Sequence, residues 1–294
     1  MRAVSNVYVS CGGKSGLLMR ARRGEATRKT CVNVFSDEAY GRSSLTLAGE
    51  LKTVMAAAHE IVALAVENLS LDDHHAKHPR IGVADHVLLS PVHPEDLDSL
   101  EDAARDLAQS LTESTPRLKT AAYSRSAPLA ALRRATPYFT DAALSGPLDP
   151  SLDRTSELTG VSTFGPERFD SSLGMTCVGA APWITNFNVP LPSGTTLEDA
   201  KRIANAIRSR GGGEHALPAV QAVGLAHSDG RVEIGCNLQD LSQTSPPDVE
   251  VAIAKLLGIK QQVSKYANLI GLEEKISGYV IGKRWDELLS LAER

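Results

Sequence analysis

Aromatic residues make up only 4% of this 294-residue chain, so its core has to rest on alanine, valine, leucine and isoleucine. Cysteine is scarce as well. Cys11, Cys31, Cys177 and Cys236 are widely scattered and no Cys-x-x-Cys pair occurs. In a chain of this size that spacing speaks against a disulfide framework and for free thiols in a reducing compartment, the cytoplasm. No apolar run approaches the roughly 20 residues that span a bilayer. Positive charge is not in excess either: the net charge is −4, which leaves no general basic field for nucleic acid. The hydrophobic content, 42%, is ordinary for a globular protein, and the length suffices for one large domain or two compact halves.

The first 30 residues are locally basic, with Arg2, Lys14, Arg20, Arg22, Arg23, Arg28 and Lys29 against only Glu25. Such a composition is that of an organellar transit peptide. Residues 6–10 nevertheless read as a strand and 17–21 as part of a helix, which favours mature structure.

The most informative stretch is 71–92, L-D-D-H-H-A-K-H-P-R-I-G-V-A-D-H-V-L-L-S-P-V. His74, His75 and His78 fall within five residues, between an apolar helical pattern and a strand-like run at 85–90. Pro79 pushes His78 out of helical geometry, onto a loop held by rigid elements on both sides. Gly82 permits a close backbone approach or a positive φ. Three readings stand side by side. The first is a solvated polar loop. The second is a metal pair, since His74 and His78 are four residues apart, although Pro79 breaks the turn and no cysteine or glutamate completes a set. The third is one histidine as general acid/base, whose ordinary pKa of about 6.5 suits proton transfer near neutrality.

Along the chain, strands are predicted at 30–35, 43–47, 85–90 and 119–123, and helices at 50–69, from Pro94 to about Leu111, and at 129–134. The 50–69 helix carries Leu51, Val54, Met55, Ala58, Ile61, Val62, Ala65 and Leu69 at spacings of three and four, one apolar stripe. Residues 145–173 are rich in glycine, proline, serine and threonine and read as a long loop, a functional segment or a linker. Strands follow at 175–180 and 183–189, then a helix capped by Thr195 or Thr196 and ended by the glycines at 211–213. Residues 220–227 and 231–237 flank an Asp-Gly hairpin signal, and Pro246 or Pro247 opens a helix to Leu257. A weak strand at 268–272 and a helix at 285–292 finish the chain. This order is β-α-β-β-α-β with an added helix.

Residues 78–86, H-P-R-I-G-V-A-D-H, resemble the H-P-R-[ML]-G-x-x-D segment of the formiminotransferase domain. Residues 35–42 are similar to the F-x-D-x-A-Y-G-R segment of its stand-alone plant-type members. Residues 165–174 resemble the family's G-P-x-x-F-x-x-x-x-G stretch, and 179–190 its G-A-x-x-W-[VI]-x-N-[YF]-N-V-P strand. The resemblance implies an α+β protein of two ferredoxin-like α/β sandwich subdomains, 1–174 and 175–294, with a ligand tunnel between them. It implies a glutamate formimidoyltransferase that moves a formimino group from N-formimino-glutamate to N5 of tetrahydrofolate, in histidine catabolism, as a homodimer. His78 takes the role of catalytic acid/base, and Asp37, or its neighbour Glu38, that of the carboxylate that holds the cationic amidine. Tyr123 matches a tyrosine near the site. Gly165, Pro166, Phe169 and Gly174 would line the folate pocket, and Arg42 and Arg80 would meet ligand carboxylates or else form structural ion pairs. No metal is implied.

The chain also departs from the pattern. The enzymes open with C-V-P-N-F-S-E-G, but here the first strand ends Val9-Ser10-Cys11-Gly12-Gly13, without the asparagine. Their G-A-R-K basic pair is replaced at 180–183 by Ala-Ala-Pro-Trp. The alternative is therefore a folate-binding protein without, or with altered, formimino transfer.

Overall fold

The computed structural model describes residues 1–12, 16–38, 40–226, 230–241, 243–258 and 279–281. Two compact units are present, one spanning Met1–Pro182 and a second that begins at Trp183. The strand and helix predicted at 268–272 and 285–292 lie outside the described residues. Among those described, no helix is long and apolar enough to cross a membrane.

The first unit starts with β1 (Arg2–Val9), two short helices α1 (Gly16–Ala21) and α2 (Glu25–Thr30), and the hairpin β2 (Cys31–Asp37) and β3 (Arg42–Glu50). Helix α3 (Leu51–Asn68) leads through the histidine-rich loop to β4 (Ala84–Pro91), and α4 (Leu97–Ser114) leads to β5 (Lys119–Tyr123). The single-turn helix α5 (Leu129–Arg134), the edge strand β6 (Ser162–Phe164) and β7 (Met175–Ala180) complete it. The seven strands form one mixed sheet in the order β2-β3-β1-β4-β7-β5-β6. Pairing is antiparallel except at β4/β7 and β7/β5, which are parallel.

Two apolar layers hold this sheet. On one face α3 and α4 lay Val54, Ala57, Ala58, Ile61, Val62 and Ala65, then Leu100, Ala104, Leu107 and Leu111, against Val7, Leu45, Leu47, Val87 and Leu89. Alanines on α3 let its axis approach the strands closely, which is how a core poor in aromatic rings reaches normal density. Met55, Leu51 and Leu69, which the periodicity assigns to the stripe, sit at its margin, partly buried. A second cluster joins Leu71, Ile81, Val83, Tyr123, Leu132, Tyr138, Phe169 and Met175 beneath the 124–174 segment.

The second unit contains β8 (Thr185–Pro190), α6 (Leu197–Ile207), β9 (Val220–Ala226), β10 (Val232–Leu238), α7 (Pro246–Leu257) and β11 (Tyr279–Ile281). Its sheet is antiparallel, in the order β11-β8-β10-β9. Thr196 and Asp199 form a reciprocal capping box at the start of α6, so the second of the two candidate threonines is the cap. Pro246 opens α7 behind a Ser245–Asp248 box.

The division of the chain differs from the one read off the sequence. There β7 opens the second half, with a boundary after Gly174. In the structure β7 lies inside the first sheet, hydrogen-bonded to β4 on one side and β5 on the other, and the first unit runs on to Pro182. A strand buried on both faces has no alternation, and Met175-Thr176-Cys177-Val178-Gly179-Ala180 carries no signal of which sheet will take it. The element order itself repeats. In the first unit β1 to β4 stand in the order 2-3-1-4, with helices between β1 and β2 and between β3 and β4. The four strands of the second unit stand, read from its other edge, in the same order.

Candidate active site

His78 lies on the loop between α3 and β4, as Pro79 requires, and is partly buried. Nδ1 is 2.7 Å from the Pro79 carbonyl oxygen and 3.0 Å from Nη1 of Arg42. Nδ1 thus faces an acceptor, the carbonyl, and an obligate donor, Nη1 of Arg42; from the shorter contact we assign the ring proton to Nδ1, donated to Pro79. Arg42 then turns Nη1 toward the same carbonyl, at 3.4 Å. Nε2 keeps its lone pair, and no described protein group engages it. Burial, and next the Arg42 charge, lower the His78 pKa to about 4, so the imidazole is neutral near pH 7. A neutral, oriented imidazole with one open nitrogen is a general base.

Arg42 is held on three sides. Nη2 makes a 2.7 Å ion pair with Oδ2 of Asp85, whose side chain is 2% exposed. The guanidinium carbon sits 4.7 Å from the centre of the Tyr8 ring. Asp85 accepts the Ile81 N–H through Oδ1 at 2.7 Å. Burial pulls the Asp85 carboxyl up, Arg42 and Arg133 pull it down harder, and the net displacement is downward. Asp85 is thus an ionised buried carboxylate that fixes Arg42 beside His78.

Behind Tyr8 the network continues through the sheet. Tyr8 stacks on His86 at 5.6 Å with an interplanar angle of 6°, and His86 Nε2 is 2.8 Å from the Tyr123 hydroxyl. Burial lowers the His86 pKa to about 3 and raises that of Tyr123, so both stay neutral. Gly179 lies flat on the Tyr123 ring, where a β-carbon would overlap the ring atoms.

Several expectations about individual residues change here. Arg80 is 2% exposed and donates to His74 Nδ1 at 2.9 Å and to the carbonyls of Ala142 at 2.8 Å and Gly146 at 2.5 Å. With a further bond to the His74 carbonyl at 3.3 Å, four of its five N–H hydrogens are engaged, and it pins the loop from inside. His74, with its other nitrogen 3.1 Å from the Gly41 carbonyl, is used up in the same way. Asp37 ends β2, accepts the Tyr40 N–H at 2.9 Å and is register partner of Arg42, yet the carboxylate bonded to Arg42 is Asp85. Tyr123 reaches His86, not the surface. Asp85 was missed because an acidic residue at the start of a strand reads as a solvated end. The signal that could have found it is a lone charge heading the otherwise apolar run 87–89.

The 165–174 segment flanks the histidine loop, but by packing. Gly174, with φ +68°, bridges Gly82, and a β-carbon on it would collide with the Ile81 carbonyl. Ser172 accepts the Leu71 N–H at 2.7 Å and Leu173 the Val83 N–H at 2.8 Å, so both ends of the loop are fastened to this segment. Gly165, with φ +93°, lies against Leu118 and Thr112, and Pro166 is partly exposed. Phe169 is 2% exposed, in the cluster with Leu71, Ile81 and Tyr123. A buried ring does not line an open pocket. Phe169→Leu is therefore expected to cost about 1 kcal/mol of unfolding free energy, within the usual range for apolar swaps of similar volume. Urea melts check this, and reduced-folate affinity should stay unchanged.

Strand ends, a rigid loop and a neutral histidine beside a buried Arg–Asp pair define a mixed α/β protein with a candidate proton-transfer site. Residues 3–181 match the family of the formiminotransferase domain, N-terminal subdomain, a span that coincides with the first unit. The chain belongs to that family. It is 31% identical over 245 residues to a formiminotransferase cyclodeaminase-like protein of Arabidopsis thaliana, covering 76% of this chain and 77% of that one. The glutamate formimidoyltransferase of Streptococcus pyogenes serotype M1 is 24% identical over 223 residues, 74% of this chain and 69% of that one. Against the formimidoyltransferase-cyclodeaminase of Sus scrofa identity is 28% over 228 residues, which span 41% of that longer protein.

Proposed function

We propose that this protein transfers a formimino group from N-formimino-glutamate to N5 of tetrahydrofolate. The observation that carries the reading is the geometry at His78: Nδ1–H held by Pro79, Nε2 open, and a neutral ring beside the Arg42–Asp85 pair. N5 attacks the amidine carbon, Nε2 of His78 accepts the N5 proton, and the carbon–nitrogen bond to glutamate breaks as that proton reaches the departing nitrogen. Asp37, partly buried at the end of β2, is a candidate to hold the cationic amidine. The strand order shared by the two units supports a ferredoxin-like reading of each.

A second reading, folate binding without transfer, draws on the absent Arg-Lys pair and on the internal use of Arg80. One experiment separates them. Purified protein is supplied with tetrahydrofolate and N-formimino-glutamate between pH 4 and 8, and product formation is followed. Because the His78 pKa lies at about 4 rather than 6.5, the base form persists as the pH falls, and the acid limb of kcat/KM is expected near pH 4. A limb at the ordinary histidine value would remove a buried neutral His78 from the mechanism. Folate binding with no transfer at any pH would leave the second reading.

A further inference from the structure

With Arg80 consumed by backbone carbonyls and Arg42 neutralised by Asp85, neither arginine expected to meet a ligand carboxylate is available to do so. A third guanidinium is. Arg133 stands in the last turn of α5, partly exposed, with its guanidinium carbon 4.4 Å from the centre of the Tyr138 ring. Among the described residues it forms no ion pair and donates no side-chain hydrogen bond. The carboxylate of the network, Asp85, is occupied by Arg42 through Oδ2 and by the Ile81 N–H through Oδ1. Its ring platform Tyr138 packs in one cluster with Ile81 and Val83 of the histidine loop and with Tyr123, and from there the Arg133 field acts on Tyr8, His78, Asp85, His86 and Tyr123. Three guanidinium groups, Arg42, Arg80 and Arg133, therefore stand around the one carboxylate of Asp85, with His78 and His86 neutral. A cation on an aromatic ring, fixed at its base and open at its donor edge, lacks an anion. The planar fork of arginine matches a carboxylate.

We propose that Arg133 binds the carboxylate of a glutamyl group next to His78, with Tyr138 as the platform that orients it. The inference rests on the transferase reading for its choice of ligand, and both substrates of that reaction carry such a group: the donor, and the tail of the folate.

The test is calorimetric titration of the full chain and of its Arg133→Gln and Arg133→Lys variants at neutral pH. The ligands are N-formylglutamate, 5-formyltetrahydrofolate, and 5-formyltetrahydropteroate, which has no glutamyl tail. Arg133→Gln is expected to weaken a glutamyl-bearing ligand by about 10–100-fold, the scale of a lost charge-assisted fork, with Arg133→Lys intermediate. Loss confined to N-formylglutamate assigns the site to the donor. Loss on the folate but not on the pteroate assigns it to the tail. Unchanged affinities, equal losses with and without the glutamyl group, or a wild-type chain that binds no glutamyl ligand would overturn the proposal. If Arg133→Gln fails to fold, Arg133→Lys carries the same comparison, because it keeps the charge and removes only the fork. A wild type that transfers formimino groups without dependence on Arg133 overturns this subsite alone. Carboxylate binding that depends on Arg133, in a chain that transfers nothing, overturns the transferase reading alone.

Discussion

His78→Gln should lower the turnover of formimino transfer by about 10²–10⁴-fold, the usual contribution of one positioned acid/base group. Glutamine keeps a polar side chain of similar reach, and its amide can still donate to the Pro79 carbonyl. What it cannot do is accept and return a proton near neutrality. His78 stands on a loop and contributes no large apolar area, so the melting temperature should move little. KM for either substrate should also change little, since the loss falls on the transition state. Steady-state kinetics of the folded variant check this. Turnover within a few-fold of wild type would exclude His78 as the proton acceptor. His74→Gln offers a contrast: His74 pairs with Arg80 and Gly41, so its replacement should act on stability before it acts on rate.

Asp85→Asn is expected to cost about 3–5 kcal/mol of unfolding free energy, the scale for removing one partner from a buried ion pair. The asparagine oxygen can still accept the Ile81 N–H, which spares the loop connection. The Arg42 charge, however, would remain buried over Tyr8 with no counter-ion. Transfer should fall as well, because Arg42 then has no reason to stay beside His78. Denaturant unfolding together with kinetics measures both effects. The double variant Asp85→Leu with Arg42→Met is expected to recover much of the stability, since apolar pairs often replace buried ion pairs without loss, but none of the activity. Full activity in that double variant would show that the pair serves only the fold. The pH dependence runs the same way. His78 and His86 take up protons more weakly folded than unfolded, with pKa values of about 4 and 3 against 6.5. The unfolded chain therefore binds more protons below pH 6.5, and stability declines as the pH falls from there toward 3.

How much of this was legible varies residue by residue. His78 was, because Pro79 fixes the end of a helix and leaves the histidine on a rigid loop, whatever the rest of the chain does. Arg42 was legible as a cation near the site but not in its role, since its partner lies 43 positions away. Asp37 came from the family pattern, as the carboxylate for the amidine, and Asp85 was not singled out at all. In the sheet, β3 and β4 are separated by β1, and the Arg42 side chain crosses over Tyr8 to reach β4. Arg80 was equally opaque. An arginine in a polar loop looks like a surface group, and only the folding of 142–146 back over it makes its burial favourable. Phe169 was assigned to the pocket by the family motif, but its apolar ring is turned inward.

By itself the sequence determined the elements that depend on local chemistry: the apolar stripe of α3, the capping boxes of α6 and α7, and the helix-to-strand loop that presents His78. These follow from periods, caps and dihedral limits that act within a few residues. Only the tertiary structure decided which sheet received β7 and which carboxylate answered Arg42. It likewise took Arg80 inside and left Arg133 unpaired at the edge. Those outcomes depend on contacts between segments 40 to 100 residues apart, where burial and charge pairing are set by which strands come to lie side by side.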